Sequence, residues 1–170
     1  MHLGLKPNKI EICEYDVSRI ETLNKEKEGL AYFLRNIKCH VIGLNESSTK
    51  YTISEPVIDI GISLYDKNDI LAAKDILSSH GYQVIKSASN YEKIVLHYVE
   101  NGLVLFRIYI FDINSNISRE FESFKRYLKS NGNIKDFNNF MKSNYQKHGN
   151  NPDLFRQYRI QYIHHVIHNK

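Results

Sequence analysis

The stretch KIVLHYVENGLVLFRIYIFDI, residues 93–113, limits the fold of this chain more than any other. Asn101-Gly102 lies between two apolar-rich runs. That dipeptide accepts the positive φ values of a two-residue type I′ turn, whose twist suits a pair of antiparallel strands. A hairpin with strands over 93–100 and 103–113 is therefore expected. On the second strand, alternation sets Leu103, Leu105, Arg107, Tyr109 and Phe111 on one face and Val104, Phe106, Ile108 and Ile110 on the other. The second face is wholly apolar and needs a cover of helices. Arg107 shares its face with two aromatic rings.

The rest of the chain supplies those helices. Residues 9–15, KIEICEY, alternate and predict a short strand. From Asp16, a suitable N-cap, the period becomes helical, with Val17, Ile20, Leu23, Leu30, Phe33, Leu34 and Ile37 on one stripe. Strands are expected over 38–44 and 57–65, a helix over 67–80 with Ile70, Leu71, Ile76 and Leu77 inward, and a strand over 82–87 after Gly81. Beyond Asn114 the pattern is all helix. One segment covers 117–130 and ends at Asn131-Gly132; a second covers 134–147 with Phe137, Met141 and Tyr145 inward. The last opens with Asn151 as N-cap, Pro152 and Asp153, and turns Phe155, Tyr158, Tyr162, Ile163, Val166 and Ile167 inward. The fold class is α+β in a single domain: a mixed β-sheet with helices over about 9–114, then a three-helix tail over about 117–169.

Composition removes several function classes. With 170 residues and 42% apolar content, the chain can build one substantial core. No run nears the roughly 18 apolar residues of a membrane helix, and MHLGLKPNKIEI lacks the apolar stretch of a signal peptide. A cytoplasmic protein with no membrane partner is expected. Cys13 and Cys39 form no disulfide framework or zinc spacing and read as reduced thiols. Residues 117–170 carry ten Lys/Arg against four Asp/Glu, a net of +6 that leaves −2 for the remainder. No helix-turn-helix, zinc finger or aromatic RNA-binding signature accompanies that charge. It fits solvated helix faces, and nucleic acid is not the expected partner.

Three groups of residues invite a chemical reading. Asp59 interrupts the apolar run Val57, Ile58, Ile60, Ile62, after a loop offering Ser47, Ser48, Thr49 and Lys50. Loop hydroxyls before a strand carboxylate suit a triphosphate and Mg²⁺, which takes oxygen ligands. By alternation Asp59 also fits a solvent-facing position. A second metal carboxylate is expected two residues on, where Gly61 stands; Asp66, Asp69 and Asp112 are misplaced for that role. His164 and His168, at i and i+4, can share a metal or form a cationic helix end. Among the tail cations Lys125, Arg126, Lys129, Lys142, Arg156 and Arg159, Lys142 and Arg159 follow core positions and flank the groove between tail and sheet. They face an anionic ligand there, or solvent.

In their order these pieces resemble the GrpB-like family of the nucleotidyltransferase superfamily, over about 9–168. Tyr15-Asp16 match the start of that family's YDPxW, and EPVIDI matches KPIIDI with Pro56, Ile58 and Asp59 in register. FKRYLK at 124–129 is similar to FRDYLR, FNNFMK ending at Lys142 to Y..LK, and FRQYRIQYI to Y...K..FI, with Phe155 for the tyrosine and Arg159 for the lysine. The departures fall on the functional loop. VIGLNESSTKYTISEP replaces HIGSTAVPGLAAKP, so that Gly43 persists, its serine neighbour is Leu44, and Glu55 replaces a lysine. Arg19 stands at the tryptophan position, Arg126 at an aspartate, and Arg107 and Tyr109 where the late strand usually carries histidines.

The resemblance implies a nucleotidyltransferase fold with Asp59 as catalytic carboxylate and Mg²⁺ ligand. It implies that Ser47 and Ser48 contact a nucleoside triphosphate, and that Arg107, Lys142 and Arg159 neutralise its phosphates. The implied reaction is nucleotidyl transfer to an acceptor. The alternative is a non-catalytic descendant, a pseudoenzyme that binds a nucleotide, another anion or a protein through the same cleft. The altered loop and the missing carboxylate at position 61 favour that second version.

Overall fold

The computed structural model describes residues 2–169. Helix α1 (Val17–Phe33) begins at Asp16, whose carboxylate accepts the Ser18 amide as an N-cap. Five strands follow: β1 (Cys39–Gly43), β2 (Ile58–Leu64), β3 (Gln83–Val84), β4 (Lys93–Glu100) and β5 (Leu103–Asp112). Helix α2 (Ile70–Ser79) lies between β2 and β3. The strands form one mixed sheet of order β1-β2-β5-β4-β3, in which β2 and β5 are parallel and the other neighbours antiparallel. The β4–β5 turn has Asn101 at φ 51° and Gly102 at φ 76°, the left-handed pair that the sequence predicts.

One sheet face is the main core. Ile58, Ile60, Ile62 and Leu64 of β2 lie beside Phe106, Ile108 and Ile110 of β5, covered by Leu23 and Leu30 of α1 and by Ala73 and Leu77 of α2. The other face carries Asp59, Gly61 and Ser63 in register with Arg107, Tyr109 and Phe111. It meets the helical tail: α3 (Asn116–Tyr127), α4 (Asn131–His148) and α5 (Pro152–His168). Phe121 of α3 packs on the rings of Tyr109 and Phe111, at centroid distances of 5.7 and 5.4 Å. The tail has its own core of Phe124, Leu128, Phe137, Met141 and Phe155, which also takes in Ile10 and Ile53. Between these two cores lie buried polar side chains, among them Glu46, Glu55 and Asp59.

Several expectations are corrected. Residues 9–15 form no ladder strand; Cys13 makes a single bridge to Ser54, because Ile10 and Ile12 are drawn into the tail core instead. Val17 and Leu71 are exposed rather than inward, since each lies near the start of its helix, before the helix covers the sheet. The 82–87 strand shrinks to two residues. Asn131-Gly132 open α4 behind the N-cap Ser130 rather than closing α3. Tyr145 and Tyr158 lie at the surface, the latter stacked on His148 at 4.6 Å.

Candidate functional site

The loop after β1 is shaped by its own hydroxyls. Leu44 N–H donates to Asp59 O at 2.9 Å, and Asn45 then turns through φ 55° into a short 3₁₀ turn over Glu46–Ser48. Ser47 Oγ donates to Leu44 O at 3.1 Å and accepts the Asp59 amide at 2.9 Å. Ser48 Oγ and Thr49 Oγ1 both donate to Asn45 O, and Thr52 Oγ1 donates to Glu46 O at 2.6 Å. From α4, Asn138 accepts the Ile53 amide at 2.8 Å and donates to Tyr51 O at 2.9 Å. These hydroxyls therefore brace the loop from within, and Ser47 is buried.

Asp59 does not face water. It is 2% exposed, and both its oxygens have protein donors: Arg107 Nε to Oδ1 at 2.8 Å and Asn45 Nδ2 to Oδ2 at 3.1 Å. The same guanidinium donates through Nη2 to Glu55 Oε2 at 2.9 Å. Arg159 of α5 grips Glu46 with two bonds, of 2.8 and 2.7 Å, the planar fork that suits a carboxylate. Arg156, one turn earlier, has Nη2 3.7 Å from Glu55 Oε1, which has no hydrogen-bond partner among the described residues. Three carboxylates from the 46–59 segment thus meet three arginines, one from β5 and two from α5.

Burial and pairing compete in this cluster. Burial pushes the Asp59 carboxyl above its ordinary range; Arg107 opposes that push, and nearby Glu46 adds to it. Burial would also raise Glu55, but Arg107, Arg159 and Arg156 together outweigh it and hold that carboxyl low. Burial works against the charges of Arg107 and Arg159, yet their carboxylate neighbours keep both firmly protonated. His97, opposite Arg107 in the β4–β5 register, is pushed down to about 4 by burial and by the charges of Arg107 and Arg156. Its imidazole is neutral at physiological pH.

Of the residues singled out in the sequence, the structure brings together Asp59, Ser47, Arg107, Arg156 and Arg159. Ser48 is bonded to the backbone of its own loop, and Lys142 lies on the exposed side of α4, 3.4 Å from Glu14. Glu46, Asn45 and His97 are further members of the cluster, which no local sequence signal marked; the reversed charge at Glu55 pointed only to cations close by, which Arg107 and Arg156 supply. Arg19, at the position of the family tryptophan, is buried; it donates to Ser54 Oγ and, at 2.7 Å, to Cys13 Sγ.

The donor set does not fit a divalent cation. Asp59 has both oxygens engaged by protein donors, and Glu46 is held by Arg159. A side chain at Gly61 would start with a Cβ 3.0 Å from the side chain of Leu44, which fills the place of a second carboxylate. Among the described residues no group of three or more His, Cys, Asp or Glu is placed to hold a metal. His164 and His168 bring their rings to 4.1 Å, with no third ligand placed beside them among the described residues.

The sheet order, the parallel β2–β5 pair bearing Asp59 and Arg107, and the packed helical tail make up a nucleotidyltransferase-like fold. The fold is similar to that of Cid1 poly(U) polymerase in its MgGTP-bound form, at TM-score 0.56 and 12% identity, covering 79% of this chain and 44% of Cid1. The Cid1 complex with Mg 3′-dATP gives TM-score 0.56 at 10% identity, over 79% of this chain and 43% of that one. This chain thus spans less than half of Cid1. The conserved protein GrpB from Enterococcus faecalis matches at TM-score 0.79 and 16% identity, over 92% of this chain and 94% of its own. The sequence pattern of the GrpB protein family matches residues 9–169, and the chain belongs to that family. No curated protein matches by sequence.

Proposed function

We propose that this GrpB-family protein is a non-catalytic member of the nucleotidyltransferase fold, which binds an anionic ligand at an arginine rim without metal and without turnover. The observation that carries this reading is the engagement of both Asp59 oxygens by Arg107 and Asn45. A carboxylate that holds a metal needs a free oxygen and a neighbouring anion. Here the residue two positions on is Gly61, and the nearby anions Glu46 and Glu55 are themselves paired with Arg159 and Arg107. The cluster is also layered. The side chains of Glu46, Glu55 and Asp59 are each 3% exposed, whereas those of Arg159, Arg107 and Arg156 are 14%, 17% and 37% exposed. What approaches from solvent meets the cationic edges first, which favours an anion.

The test is a titration of labelled protein with ATP, CTP, GTP and UTP, with and without Mg²⁺, followed by amide shifts beside the Asp59→Asn variant. Shifts at Arg107, Arg156 and Arg159 that ignore Mg²⁺ and persist in the variant are expected. Binding that requires Mg²⁺ and vanishes in the variant would restore Mg²⁺-dependent nucleotidyl transfer as the function. No shift with any nucleotide would remove the rim as a nucleotide site.

A further inference from the structure

The bridge between Cys13 and Ser54 carries an inference independent of the arginine cluster around Asp59. Cys13 N–H donates to Ser54 O at 2.8 Å, and Ser54 N–H donates to Cys13 O at 3.2 Å, so the backbone fixes the thiol. Cys13 is free and half-buried, and its Sγ makes a weak bond of 3.5 Å to Ser54 O. Arg19, in the first turn of α1, is 2% exposed. A guanidinium buried to that degree normally meets a carboxylate. Among the described residues Arg19 forms no ion pair; Nη1 donates to Ser54 Oγ, and Nη2 donates to Cys13 Sγ at 2.7 Å. Its Nε is buried and has no hydrogen-bond partner. In the planar guanidinium, Nε–H and Nη2–H are parallel donors on one edge, the edge with which Arg159 grips Glu46. On Arg19 that edge faces Cys13 with one donor used and one empty. An acceptor oxygen attached to Sγ would complete the fork.

We propose that Cys13 is a site of reversible oxidation by hydrogen peroxide, and that Arg19 holds the resulting sulfenic acid with Nη2 on the sulfur and Nε on the new oxygen. A cation beside a thiol favours the thiolate, which is the nucleophile. The sulfur attacks one peroxide oxygen, so that an S–O bond forms as the O–O bond breaks. Sulfur gives up two electrons and the peroxide accepts them. The departing hydroxide takes up the proton that the thiol lost and leaves as water. Sulfenic acid is the first step of cysteine oxidation, and thiols reverse it. Cys39 is the internal control. It packs against the main core, and burial pushes its thiol up.

The test exposes the full chain to hydrogen peroxide for timed intervals, in buffer and in urea. Catalase then removes the peroxide, and dimedone added with urea traps sulfenic acid at each cysteine for peptide mass spectrometry. Folding ordinarily shields a thiol. Cys13 should instead react about tenfold faster in the folded chain than in urea, whereas Cys39 reacts more slowly when folded. Arg19→Lys keeps a cation but loses the two-donor edge, and should remove most of the gain at Cys13. Slow reaction at Cys39 shows that this variant is folded. If that protection is lost, the wild-type comparison of folded and unfolded chain decides alone. A Cys13 that reacts no faster folded than in urea overturns the proposal, as does a folded Arg19→Lys variant that reacts like the wild type.

Discussion

Arg107 serves two buried carboxylates at once, with Nε on Asp59 and Nη2 on Glu55. Replacing it by methionine leaves both anions without that partner in a desolvated site. A loss of about 3–5 kcal/mol in urea unfolding is expected. Arg107→Lys should recover part of the loss, because an ammonium lacks the fork that reaches two acceptors. A methionine variant as stable as the wild type would contradict the pairing. The residue also explains the charge reversal at position 55. Where the GrpB-like pattern has a lysine before the proline, this chain has Glu55, and the cation comes instead from Arg107 on the neighbouring strand. His97 gives the cluster a pH signature. Its folded value of about 4 lies below the ordinary 6.5, so the unfolded chain takes up the proton first. Stability should therefore fall as pH drops from about 6.5 to about 4. Glu55, held low, loses its contribution further into acid, whereas Asp59, pushed up, works in the opposite sense. Replacing His97 with glutamine should flatten the first part of the profile; an unchanged profile would contradict the burial of a neutral ring.

The 44–56 loop shows what an element needs beyond local propensity. It has left-handed residues at Asn45 and Tyr51, and it is tied to α4 by Asn138 on both sides of Thr52. Asn138→Ala strands the Ile53 amide and the Tyr51 carbonyl. It should cost about 1–3 kcal/mol and speed amide exchange across the loop, whereas exchange in α1 stays unchanged. Elements with local signals were legible in the sequence. Asn-Gly set the hairpin, Asp16 and Asn151 opened their helices, and alternation placed Arg107 beside Tyr109 and Phe111. Residues 9–15 misled because alternation there feeds a helical core rather than a sheet. The site was legible in its members Asp59, Ser47, Arg107, Arg156 and Arg159 but not in its pairings. Asp59 meets Arg107 through the parallel β2–β5 register, and Glu46 meets Arg159 across 113 residues of chain. No local pattern encodes contacts of that range.

At the scale of the whole molecule, the arginine cluster fastens the helical tail to the sheet. Arg159 and Arg156 come from α5, and their carboxylates from the segment that leads into β2. Arg159→Met should leave Glu46 buried and unpaired, at a cost of about 3–5 kcal/mol. It should also loosen α5 in hydrogen exchange while the α1–β2 core holds. Equal protection of α5 in both proteins would contradict the fastening. In the proposed reading, Asp59 at the centre of this nucleotidyltransferase-like fold serves as a counter-ion to Arg107 rather than as a metal ligand. The most direct test of that statement is paramagnetic: Mn²⁺ is added with ATP, and broadening is read at the amides of Ile58, Asp59 and Ile60. The account predicts that these amides broaden no more than the protein average. Selective broadening at Ile58–Ile60, abolished by Asp59→Asn, would contradict it and make Asp59 a metal ligand.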